Sequence, residues 1–167
     1  SIINGPKLSR ELPDVLSVNE ITEIMDYLQR EVDRAISENE SMLVVYLRKR
    51  NKALFELLYS CRLRISEALS LTKGELYLEE QYVRVFGKGR KERICPLGSY
   101  AIAATKEMLK QEHEVWGGAT NLSSGATYIF KNNWEGTSKI HLYNIILPYI
   151  DMSFPLINVS FSYAKFI

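Results

Sequence analysis

A broken hairpin constrains this chain more than any other feature. From Tyr82 to Phe86 the side chains alternate, with Tyr82, Arg84 and Phe86 set against Val83 and Val85, the two-residue period of a strand with one buried face. Gly87-Lys88-Gly89 interrupts the pattern, and Arg93-Ile94-Cys95 restores it before Pro96, so the stretch predicts a hairpin with Lys88 at its turn. Upstream, Cys61-Arg62-Leu63-Arg64 ends an apolar helical run and leads into a short helix opened by Ser66, which presents Arg64 at a corner. A cation on a corner and another at a hairpin tip can meet one phosphate.

The remaining elements are mostly helical. Ser17-Val18-Asn19-Glu20 has the capping-box pattern, and Ile21, Ile24, Met25, Leu28, Val32 and Ile36 follow at helical spacing beside a solvated acidic face. Ser41 is placed to cap a second helix that carries Leu43, Val44, Leu47, Ala53, Leu54, Leu57 and Leu58 toward a core. Its basic cluster, Arg48, Lys49, Arg50 and Lys52, reads either as a wet helix face or as a source of phosphate contacts. A third helix is expected over 99–116, burying Ile102, Ala103, Met108 and Leu109 and ending at Gly117-Gly118, with His113 solvated among Glu112 and Glu114. Tyr128-Ile129-Phe130 reads as a short buried strand, and Thr137 or Ser138 as the cap of a last helix through Ile140, Tyr143, Ile146 and Leu147. Residues 1–13, with Gly5, Pro6 and Pro13, read as a linker.

At 167 residues and 46% hydrophobic content the chain suits one domain with a real core. Net charge is only +1, yet its distribution is uneven: residues 1–40 hold four basic and nine acidic side chains, whereas residues 41–93 hold twelve and six. The positive excess therefore lies in the stretch with the corner and the hairpin, as a phosphate-binding face requires. Cys61 and Cys95 form no spaced pair and no His/Cys cluster accompanies them, so neither a metal site nor a disulfide framework is indicated. A reduced, cytoplasmic protein is expected. No apolar run approaches the roughly 20 residues of a membrane span. Gly87-Lys88-Gly89 is not a nucleotide loop, because that motif sets its lysine after GxxxxG and before a helix.

The residue types suit phosphodiester chemistry. Guanidinium offers a planar, always protonated donor pair for non-bridging oxygens, and lysine is a compact proton donor whose pKa falls beside other cations. Arg90, Lys91 and Arg93 flank Lys88 and are expected both to lower its pKa and to attract DNA; alternatively, the charges protect a hairpin tip from edge pairing. Glu67, three residues after Arg64, is placed either to aim that arginine's fork or to form a surface ion pair.

The strings RNKALFELLYSCRLRISEALSLTKGEL, YVRVFGKGRKERICPLG and, less specifically, YIFKNNWEGTSKIHLYNIILPYI resemble the catalytic domain of tyrosine recombinases of the Xer and phage-integrase type. The resemblance runs from about Leu12 to Ile150, making residues 14–150 a partial catalytic domain. It implies an α+β, mainly helical fold: a helical bundle with a small antiparallel three-stranded sheet. It further implies site-specific DNA cutting and rejoining through a 3′-phosphotyrosyl intermediate, with no cofactor, no metal, and double-stranded DNA and other recombinase subunits as partners. By the same resemblance Arg64 is the first catalytic arginine and Lys88 the lysine that protonates the leaving 5′ oxygen. DNA contacts are expected from Arg62, Thr72, Lys73, Arg90, Lys91, Arg93, Ser138, Lys139 and His141. Arg62 stands where relatives usually have glycine; holding it at positive φ costs on the order of 1 kcal/mol.

Beyond Ile150 the resemblance predicts a His-x-x-Arg block, a later His or Trp, and a tyrosine nucleophile. His141 is followed at the third position by Asn144, so it reads as a structural or backbone-contact residue, and residues 151–167 contain no arginine. Tyr163 is the only late tyrosine in that tail and lacks these companions. The chain is thus expected to be catalytically inactive, the product of a truncated or frame-disrupted gene or a part of a longer protein, consistent with its opening at Ser1. The alternative is a non-catalytic DNA-binding or regulatory remnant that pairs with a full-length recombinase.

Overall fold

Ser17 opens the first element as its pattern predicts. In the computed structural model, which describes residues 17–87, 89, 91–116 and 129–130, Ser17 Oγ accepts the Glu20 N–H at 3.3 Å and the Glu20 carboxylate accepts the Ser17 N–H at 2.7 Å. Helix α1 then spans Val18–Ser37 and buries Ile24, Leu28, Val32 and Ala35. Ile36, expected inside, lies outside, because the inward stripe of a 3.6-residue period falls on Ala35 instead. A tight connection through Asn39, in the left-handed region at φ 52°, turns the chain into α2, Met42–Cys61, where Ser41 Oγ accepts the Val44 N–H.

Helix α2 is the centre of the fold. It packs against α1 on one side and α4 (Ser99–Trp116) on the other, with further contacts to the short helix α3 (Ile65–Ser70) and to the sheet. Tyr46, Ala53, Leu54 and Leu57 are fully enclosed, and the Tyr46 ring meets that of Trp116 edge-on at 4.8 Å. Because neighbours surround it, α2 buries more than one stripe, and the basic cluster is not a wet face. Arg50 is 1% exposed and hydrogen-bonds the Asn51 side-chain oxygen. Arg48 pairs with Glu31 of α1 at 3.5 Å, Lys49 donates to Gln111 of α4 at 3.1 Å, and Lys52 donates to Gln29 of α1. Arg48, Lys49 and Lys52 thus tie α2 to its neighbours, and these three fit neither alternative drawn from the sequence.

The sheet is antiparallel in the order β1 (Leu76–Tyr77), β2 (Tyr82–Phe86), β3 (Glu92–Pro96). Its register sets Val83 opposite Cys95 and Val85 opposite Arg93. Val83 and Val85 are buried as their alternation predicts, while Phe86 and Ile94 stay exposed on the other face. Helix α4 buries Ala101, Ala104, Thr105 and Met108, a stripe displaced from the expected one, so that Ala103 is exposed. His113 is exposed, as read from its acidic neighbours. Ile129 and Phe130 are buried, with the Ile129 N–H donating to the Leu71 carbonyl at 3.0 Å. The fold is therefore mainly helical with a small three-stranded antiparallel sheet, the expected class.

Candidate nucleic-acid interface

The corner forms where α2 stops. Arg62 takes φ 50°, ψ 44°, and both its N–H and that of Leu63 donate to the Leu58 carbonyl, the pattern of a Schellman-type helix end. Leu63, buried at 8% exposure, anchors the reversal in the core, while Arg62 and Arg64 on either side of it point outward. The short helix begins at Ile65 with Arg64 as its N-cap residue, one position before the start that Ser66 suggested. The reason is Glu67: its Oε2 accepts the Arg64 N–H at 2.8 Å, capping the helix from its third residue.

Glu67 does not aim the Arg64 side chain. Its two carboxylate oxygens accept Nη1 and Nη2 of Arg93, each at 2.8 Å, in a fork-to-fork pair reaching from α3 to β3. The Arg93 fork, followed by the Arg64 N–H and the charge of both arginines, holds the Glu67 carboxyl below its usual range against the opposing effect of burial. Glu67 in turn strengthens the protonated form of Arg93.

Around this pair lies an open cleft of about 520 Å³ lined by Cys61, Arg62, Arg64, Glu67, Gly87, Lys91, Glu92 and Arg93. With Glu67 and Arg93 satisfying each other, Arg62, Arg64 and Lys91 form no ion pair among the described residues, and Glu92 sits 3.8 Å from Arg84. The lining is thus cationic, and one rigid fork stands at a helix start, an arrangement able to hold a phosphodiester. Cys61 at the back has its thiol pushed up to about 11 by burial, with Cys95 nearby adding to the shift, so it is a protonated wall at neutral pH.

Two other predicted contacts lie outside the cleft lining. Thr72 caps the 3₁₀ turn Lys73–Glu75, its N–H and hydroxyl donating to Glu75 at 2.7 and 2.9 Å. Lys73 pairs with the buried Glu112 of α4 at 2.9 Å. Lys88, Arg90, Ser138, Lys139, His141 and Tyr163 lie outside the described residues. Gly87 and Lys91, however, close the hairpin turn through a 2.9 Å bond from the Gly87 N–H to the Lys91 carbonyl, and both line the cleft that Arg64 lines.

Residues 14–140 match the phage integrase family. The chain belongs to that family, the tyrosine recombinases. It is 34% identical over 145 residues to the tyrosine recombinase XerD of Chlorobaculum tepidum, an alignment covering 86% of this chain and 43% of that protein. It is 46% identical over 99 residues to XerD of Oceanobacillus iheyensis, covering 59% and 29% respectively. Among solved structures, the XerH site-specific recombinase bound to its palindromic difH substrate in a post-cleavage complex superposes with a TM-score of 0.60 at 22% identity. That superposition covers 88% of this chain and 38% of XerH, and it establishes the shared fold. The chain spans less than half the length of these relatives. Of the residues singled out from the sequence, the structure brings Arg62, Arg64, Lys91 and Arg93 to one cleft. The sequence reading missed the Glu67–Arg93 pair, whose members lie 26 residues apart on different elements. The available signal was strand parity, since Arg93 falls on the same face of β3 as the buried Cys95.

Proposed function

We propose that this domain is the part of a site-specific DNA recombinase that grips the scissile phosphodiester of double-stranded DNA, with Arg64 on the non-bridging oxygens and Lys88 as the proton donor to the leaving 5′ oxygen. The observation that carries the reading is the meeting of Arg62, Arg64 and Lys91, from two separate elements, in a single cationic cleft. Family membership supplies the reaction: strand cleavage and rejoining through a 3′-phosphotyrosyl intermediate, carried out with other recombinase subunits on cytoplasmic DNA. Residues 14–150 constitute the domain, and no metal or cofactor takes part. Arg62, Lys91 and Arg90 extend the grip along the backbone, as do Ser138, Lys139 and His141.

Neither histidine of these 167 residues opens a His-x-x-Arg block. That favours a second reading, in which the chain occupies DNA or pairs with a complete recombinase without cutting. A suicide substrate that traps the covalent intermediate separates the two: no adduct at Tyr163 is expected from this chain, and an adduct there would restore the enzyme reading. The phosphate grip itself is tested by DNA affinity against salt. Arg64→Ala is expected to weaken binding about 10-fold and to reduce the salt slope by about 1. An unchanged slope and affinity would remove Arg64 from the interface.

A further inference from the structure

We infer that the Glu67–Arg93 pair is a strut that sets the β2–β3 turn against the Arg64 corner, making Arg93 a positioning residue for the phosphate grip. The consequence for DNA rests on the reading of the cleft given above; the strut itself rests on geometry alone. Glu67, 7% exposed, spends one oxygen twice, on the Arg64 N–H at 2.8 Å and on Arg93 Nη2 at 2.8 Å, and gives the other to Nη1 at 2.8 Å. One carboxylate thereby joins the N-cap residue of α3 to a strand residue 26 positions beyond Glu67. Strand parity turns Arg93 away from the exposed sheet face: it pairs with Val85 and shares a face with Cys95, both buried. The pair also abuts the start of the turn, since a Cβ on Gly87 would stand 3.8 Å from both Arg93 Nη1 and Glu67 Oε1. Lys91 and Gly87, the two ends of that turn, are therefore held at a fixed distance from Arg64 by a planar fork with little freedom to rotate. In sequence Lys88 lies between them.

A strut and a direct DNA contact differ in the sign of one measurement. If the two charges acted on DNA only through the field in the cleft, Glu67→Gln would remove a negative charge and tighten binding, while Arg93→Gln would weaken it. For a strut, both substitutions loosen the turn and both weaken binding. The affinity of the full chain for a fluorescein-labelled duplex is measured alongside amide hydrogen exchange. Expected are weaker binding for each single variant and a double variant no worse than the weaker single. Exchange at the Gly87 and Arg64 amides should quicken about tenfold or more, with Met108 in α4 unchanged. Arg93→Lys should recover part of both effects. Tighter binding by Glu67→Gln, or exchange that stays unchanged or rises equally at Met108, overturns the strut. If the unaltered chain does not bind the duplex, the phosphate reading falls and the exchange arm alone decides the strut.

Discussion

Arg62 shows how a single residue can serve the backbone and the surface in opposite ways. Its left-handed conformation, φ 50°, is one that glycine adopts without penalty and a side chain with a Cβ does not, yet its guanidinium adds a cation to the cleft. Arg62→Gly is therefore expected to raise stability by up to about 1 kcal/mol, read as a higher unfolding midpoint. The same substitution should lower the salt slope of DNA binding if Arg62 touches a phosphate. A rise in stability with no change in slope would leave Arg62 as a helix end with an idle charge.

At the scale of elements, buried ion pairs link pieces that hydrophobic packing only brings near each other. Lys73, on the turn after α3, reaches Glu112 of α4, whose side chain is 5% exposed. Removing the lysine takes an ion-pair partner away from a nearly buried carboxylate, so Lys73→Ala should cost about 1–3 kcal/mol in chemical unfolding. Adding Glu112→Gln should return part of that loss, because a neutral amide is cheaper to bury than a carboxylate that has lost its lysine. If the double variant is no more stable than Lys73→Ala, the pair does not join the turn to α4. The cations of α2 belong to the same category. Arg48, Lys49 and Lys52 meet acidic or amide partners on α1 and α4, which leaves the corner and the hairpin as the source of the cleft's charge.

For the whole molecule, the lowered pKa of Glu67 makes acid a test of how much the strut supports the fold. A carboxyl held below its ordinary value of about 4.5 contributes stability that is fully present above that value and is lost as pH falls through the lowered one. The stability difference between the unaltered chain and Glu67→Gln should therefore be constant from neutral pH down to about pH 5 and shrink at lower pH. A difference that persists undiminished through the acid range would assign it to packing and not to ionisation.

The amino-acid sequence by itself determined the local elements. Capping at Ser17 and Ser41, the two-residue period of Tyr82–Phe86 and the helical end at Cys61 depend on neighbours a few positions away, and all stand in the structure. It also singled out Arg64, because a cation beside a helix end is exposed by local geometry. Only tertiary structure decided the fate of the other charges. Whether Arg50 is wet, whether Lys73 is available, and whether Glu67 serves Arg64 or Arg93 depend on which elements meet, and charged groups removed from water take the nearest partner regardless of their separation in sequence.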